Sequence, residues 1–193
     1  ASGQINIGDY IKSLPSQVDA RVEELYRGFD SVKNVHKSDA VTLVLDREID
    51  TSRGDVFVKD ASLDITHGFQ AEILWMDDLP LIEGRSYLLK LATQTVPATL
   101  MKIKYKIDVN TGNKLLTHQL EKNEMAVCEI KTIRDIVFSA FETHPPMGRF
   151  ILIDRITNAT AAGGIIEHSL RRAANVFSHT SVVSTKERAL QKF

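Results

Sequence analysis

Any chemistry in this chain would have to come from isolated groups. It has one cysteine, Cys128, and six histidines, His36, His67, His118, His144, His168 and His179, each standing apart from the others. A thiol nucleophile needs a base beside it. Cys128 ends the apolar run Met125-Ala126-Val127-Cys128 and reads instead as a small buried hydrophobe. No Cys/His group has the spacing of a zinc site. There is no G-x-x-x-x-G-K-[ST] phosphate loop, and Gly163-Gly164 is too short to serve as one. Asp77 and Asp78 are adjacent, so on an extended chain they face opposite ways. With Pro80 following, they read as an exposed turn rather than as paired acids. Ser52-Arg53-Gly54-Asp55 contains an adhesion-type tripeptide but has the composition of a turn between strands. His144-Pro145-Pro146 reads as a rigid loop. Lys102, Lys104 and Lys106 form a single-faced basic row, which could meet phosphate or an acidic partner and is by default a solvated strand face. The sequence thus nominates no catalytic, cofactor-binding or metal-binding residue.

The elements around these groups read as short strands. Phe69, Ala71, Ile73 and Trp75 alternate with Gln70, Glu72 and Leu74, which puts Trp75 on a core face. Met101, Ile103, Tyr105 and Ile107 alternate with the three lysines. Residues 41–45, 133–138 and 150–153 are further candidates. Turn signals separate them at Ile7-Gly8-Asp9, 52–55, Glu83-Gly84-Arg85, Asn110-Thr111-Gly112-Asn113 and Pro145-Pro146-Met147-Gly148. Many short strands at this spacing predict a barrel or sandwich. One stretch is ambiguous: Val18, Val22, Leu25 and Phe29 fit a helical stripe, and the same residues could serve a strand and turn. A domain boundary falls near 59–67. From residue 167 onward the texture changes to scattered apolar residues with Arg171-Arg172 and Lys186-Glu187-Arg188, as in a linker with a helical turn from Thr185.

Composition narrows the function classes. Basic and acidic side chains number 24 and 25, so the broad basic excess that drives nucleic-acid binding is absent. No apolar run approaches the ~20 residues of a membrane-spanning helix. A lone cysteine forms no internal disulfide, which fits a reducing compartment, and a cytoplasmic location is expected. The first residues lack the pattern of a signal peptide. The chain opens as if taken from within a longer protein.

Several phrases together resemble one family, the large GTP-binding subunit of bacterial ATP sulfurylase (sulfate adenylyltransferase subunit 1), including forms fused to adenylylsulfate kinase. They are Gly3-Gln4-Ile5-Asn6-Ile7-Gly8-Asp9 with Leu14-Pro15-Ser16; Asp39-Ala40-Val41-Thr42-Leu43; Glu48-Ile49-Asp50-Thr51 leading into 52–55; and Trp75-Met76-Asp77. Gly84-Arg85-Ser86-Tyr87-Leu88-Leu89-Lys90, Val96-Pro97-Ala98, 103–111 and Gly148-Arg149-Phe150-Ile151-Leu152-Ile153-Asp154-Arg155 through Ala159 complete the set. The first and last also look like generic translation-factor barrels, and the middle ones are more specific to the sulfurylase branch.

The resemblance implies an all-β chain: two β-barrels like domains 2 and 3 of elongation factor Tu, followed by an irregular or partly helical linker. Residues 1–62 would be the second-domain barrel without its opening strand, 66–167 the third-domain barrel, and 168–193 a linker towards a kinase domain. It resolves the ambiguity at 18–29 in favour of strand. It implies that GTP and Mg belong to a GTPase domain outside this chain, that no cofactor is held here, and that the barrels are non-catalytic. The expected partners are that GTPase domain and the small adenylyl-transferring subunit, with no nucleic acid and no membrane. The alternative from another class is a translation-factor barrel pair that binds tRNA and the ribosome.

Overall fold

Turns with positive φ at Gly8, Gly28, Gly54, Gly84 and Gly112 punctuate the chain between strands. The structure, a computed structural model, describes residues 3–60 and 62–170. Two β units result.

The first contains β1 (Gln4–Asn6), β2 (Tyr10–Leu14), β3 (Val18–Arg27), β4 (Asp30–Val32), β5 (Asn34–His36), β6 (Thr42–Leu45) and β7 (Val56–Val58). Strands run in the order β4-β3-β2-β7, with β6 also on β3, and β1 pairs with β5. The fully buried cluster is small: Ile11, Val22, Leu25 and Val35. Asp9 ties the beginning of the unit to its end. Its carboxylate accepts from the Asn6 amide at 2.8 Å and meets Lys59 Nζ, just beyond β7, at 2.8 Å.

The 18–29 stretch is strand, and the helix-like spacing has a specific cause. Val22 pairs with Leu45 and Glu24 with Val44, so Glu23 is a bulged residue. One extra residue inverts the facing of the rest of the strand. Leu25 therefore points inward three positions after Val22, while Val18 and Phe29 stay exposed.

The second unit contains β8 (Asp64–Trp75), β9 (Leu81–Ile82), β10 (Ser86–Leu91), β11 (Gln94–Ile107), β12 (Lys114–Leu115), β13 (Gln119–Leu120), β14 (Met125–Phe138), a one-turn α1 (Pro145–Gly148), β15 (Arg149–Ile153) and β16 (Thr160–Ser169). Six of these run β10-β15-β16-β8-β14-β11, and pairing of β10 with β11 closes the ring into a barrel. Closure removes the sheet edges that would otherwise be open to another chain. The β9–β13 ribbon plugs one end with Leu81 and Leu120, both fully buried.

Phe69, Ala71, Ile73 and Trp75 all line the interior, as their alternation predicts. Phe69 meets Phe150 edge-on with ring centres 5.6 Å apart, and Trp75 meets Tyr87 in the same way at 5.6 Å. Burying each such side chain contributes roughly 1.5–3 kcal/mol. β16 runs on to Ser169, past the expected barrel end at 167, because the Leu170 amide still bonds Gly68 O at 2.9 Å. The rest of the expected linker, 171–193, and the helical turn from Thr185 lie outside the described residues.

Candidate functional site

The clearest built feature outside the two cores is the seam between the units. On the barrel side it starts from a tight β10–β11 turn, with Leu91 opposite Gln94. Gln94 is 6% exposed, and its side-chain amide bonds the backbone of Val137 in both directions. Beside it, β14 carries a wide bulge. Lys131 pairs with Gly68 and Ile136 with Thr66, so the residues between them leave the ladder. Thr132 holds the bulge by donating from its hydroxyl to Arg134 O at 2.7 Å. Ile133, Arg134 and Asp135 are thereby thrown outward, Arg134 and Asp135 towards the seam.

From the first unit, the 52–55 turn lies over Gln94. Gly54 has φ +113°, which excludes a side chain with a Cβ on conformational grounds, and its Cβ position would lie 3.5 Å from Gln94 Cγ. Asp55 fixes the turn by accepting from the Ser52 amide at 2.8 Å. The cleft between the two walls, about 500 Å³, runs from Pro15 and Arg53 to Gln94 and Arg134. A neighbouring groove of about 570 Å³ opens between His67, Lys131, Asp135 and Leu170. Asp135 borders both and meets His67 Nδ1 at 3.3 Å.

The seam is built of turns and a strand bulge. It has no nucleophile aligned with a base, and among the described residues no group of three His, Cys, Asp or Glu could hold a metal. It does carry the rigid 52–55 turn on one wall and, within the barrel wall, the buried amide clamp of Gln94 on Val137.

The residues singled out in the sequence are dispersed over the structure. Cys128 is fully buried in the barrel core, and burial pushes its thiol up to about 12. That is the environment of an inert thiol. Asp78 is 86% exposed and pairs with Lys122 at 2.6 Å, while Asp77 caps the Leu79 amide. His118 faces Glu83 at 3.5 Å from an exposed position. His36 and His168 are exposed, and His179 lies outside the described residues. The Pro145–Gly148 loop forms α1, wedged by Gly148, whose Cβ position would fall 2.4 Å from Phe141 Cα.

The basic row needs correction. Bulges at Met101 and Lys104 break the strict alternation of β11. Lys104 donates to Gln70 Oε1 at 2.6 Å and Lys106 pairs with Glu124 at 2.6 Å. Two of the three lysines are thus absorbed by internal partners.

Sequence reasoning also missed two polar anchors. Gln94 has no sequence signal, because its partner lies 43 residues away. Asp154 accepts from the Ile156 and Thr157 amides at 2.8 and 2.9 Å and meets Arg85 Nη2 at 2.8 Å. The Thr157 amide, then that of Ile156, hold its carboxyl below the ordinary range, with Arg85 adding to the effect. The Asp154-Arg155-Ile156-Thr157 turn composition could have flagged it.

Comparison with known proteins places this geometry. Residues 68–167, which hold nearly the whole closed barrel, match the family described as GTP-eEF1A C-terminal domain-like. The chain belongs to that family. It is homologous over its full length to the bifunctional enzyme NodQ of Rhizobium sp. strain N33, with 39% identity over 193 residues, all of this chain and 30% of that protein. It is likewise homologous to sulfate adenylyltransferase subunit 1 of Saccharophagus degradans, 34% identical over 98% of this chain and 41% of the relative. A crystal structure of Sup35 complexed with GDP superposes with TM-score 0.78 at 23% identity, over 88% of this chain and 42% of that one. The translation-factor-like barrel fold therefore extends across both β units, and the chain spans about a third of the curated relatives it matches.

Proposed function

We propose that this GTP-eEF1A C-terminal domain-like chain is the non-catalytic barrel region of a sulfate adenylyltransferase GTPase subunit. In this reading the parent enzyme makes adenylylsulfate and pyrophosphate from ATP and sulfate, coupled to GTP hydrolysis. GTP and Mg sit in a GTPase domain outside these 193 residues. Adenylyl transfer sits in a separate small subunit. Residues 1–62 form the second-domain barrel, completed by an opening strand from outside the chain, and 66–167 form the third-domain barrel.

The observation that carries this is the homology, over 98% of the chain, to a subunit named for that reaction. In this reading the two barrels move as one body and so pass on a change in a neighbouring GTPase domain. A cytoplasmic setting fits the buried free thiol of Cys128, and no described helix is long and apolar enough to cross a membrane.

The test uses the full-length parent with its small subunit. Deleting residues 1–170 is expected to leave GTP hydrolysis by the remaining domain intact and to abolish GTP stimulation of adenylylsulfate synthesis. Full stimulation without the barrels would overturn the reading.

A further inference from the structure

The outer wall of the barrel breaks the rule that its inner wall obeys. A solvated antiparallel sheet alternates apolar inside with polar outside. β15 does not, since Phe150-Ile151-Leu152-Ile153 is apolar on both faces. Phe150 and Leu152 fill the core, so Ile151 and Ile153 must face out.

The register shows what surrounds them. Ile153 lies opposite Leu88 of β10. Ile151 lies opposite Gly163 of β16, and Gly163 opposite Leu74 of β8. Ile165 lies one pleat away on β16, beside Arg149. Leu88, Ile151, Ile153 and Ile165 are half-buried, and Leu74 and Met76 are exposed. The result is a continuous apolar belt across four strands with a flat spot at Gly163, where only Met76 Cε approaches, 3.9 Å from the Cβ position.

Two cations border the belt, and half-buried Glu72 of β8 lies opposite Ile165 on the same face. Lys90 lies opposite Ile151 and Arg149 opposite Ile165. Neither forms an ion pair among the described residues. On a monomer's surface a belt of this kind marks a binding face. Unpaired cations at its rim call for carboxylates opposite them.

We propose that the β10-β15-β16-β8 wall docks a separate protein subunit, through an apolar patch seated on Gly163 and acidic groups set against Lys90 and Arg149. The inference rests on the sulfurylase reading for the subunit's identity, the small adenylyl-transferring subunit. Gly163 is the notch that admits the partner's central side chain. Unlike Gly164, whose Cβ would strike Phe150, it is not required by the barrel itself.

The experiment measures binding of the small subunit to the full-length parent, wild type against Gly163→Glu and against the double variant Lys90→Glu/Arg149→Glu. Both alter outward-facing positions, and circular dichroism melts verify the fold; Gly163→Ala is a milder third variant. We expect Gly163→Glu to weaken binding at least about tenfold, mainly by faster dissociation. The double variant should slow association and flatten its salt dependence. Wild-type affinity in both variants would overturn the docking face and leave the sulfurylase reading standing. No binding by the wild-type parent would overturn that reading together with this proposal. Unchanged subunit binding with new protease sensitivity between the parent's own domains would mean that the wall is covered in cis. Loss of a homodimer would mean that a second copy covers it. Either result also overturns the proposal.

Discussion

Gln94 closes its side-chain amide on the backbone of one residue, Val137: Nε2 donates to the Val137 carbonyl at 2.7 Å, and Oε1 accepts from the Val137 N–H at 2.9 Å. Both residues are buried. The amide thus takes the place of a neighbouring strand at the end of β14. Replacing Gln94 with Leu leaves a buried donor and acceptor unpaired, each costing about 1–3 kcal/mol. Urea unfolding of the barrel should show a loss of roughly 2–6 kcal/mol. Gln94→Glu sets a carboxylate oxygen against the Val137 carbonyl in a buried site, so at neutral pH it should cost at least as much as Leu.

Tyr87 is the opposite case. Its ring packs on Trp75, its hydroxyl is buried, and among the described residues that hydroxyl has no partner. Burial pushes the phenol up to about 12. Tyr87→Phe removes an unsatisfied group and should be neutral or stabilising by up to ~1 kcal/mol in thermal melts. A loss of about 2 kcal/mol or more would reveal a hydrogen bond at that hydroxyl.

The neighbouring glycines of β16 should respond differently to alanine. At Gly164 a Cβ would sit 2.5 Å from Phe150 Cζ and 3.0 Å from Ile73 Cγ2. Overpacking of this kind costs about 1–3 kcal/mol. At Gly163 the nearest atom is 3.9 Å away, so Gly163→Ala should hold stability near wild type. Equal melting temperatures for the two variants would contradict the packing described.

Asp154 makes the barrel acid-sensitive. Its folded carboxyl titrates below the ordinary value, so its contribution is fully present above about pH 4 and is lost as pH falls through the lowered value. Asp154→Asn should therefore destabilise the barrel at neutral pH. The gap from wild type should close as pH falls through that lowered value, where wild-type Asp154 itself takes up a proton. A gap independent of pH would assign the cost to shape rather than charge.

Cys128 offers a readout of global opening. Buried with its thiol raised to about 12, it should react with thiol reagents only as fast as the barrel unfolds. Rapid labelling under native conditions would place it in a locally opening strand.

The barrel's interior was readable from period-two alternation, because Phe69 to Trp75 lie on a strand with regular pairing to β14 over that stretch. Bulges defeated the same logic elsewhere. Glu23 made a strand look helical, and Met101 and Lys104 made a broken lysine row look continuous. The seam was invisible because Gln94 and Val137, and Gly54 and Gln94, are joined only by the fold. The outer wall left a trace in the unbroken Phe150–Ile153 run, whose second apolar face shows only once the register places Ile151 beside Gly163.

The order of strands around the ring carries a consequence for synthesis. β16 is the last strand of the barrel to be made, yet it inserts between β8, the first, and β15. On the ribosome, β8, β10, β11 and β14 can pair as they emerge, but the ring stays gaping until residue 169 has left the exit tunnel. During that interval the inner faces of Phe69 and Trp75 and the free edges of β8 and β15 stand open together. A nascent chain halted just short of β16 should therefore be a strong chaperone client, and release of a few more residues should end that dependence in one step.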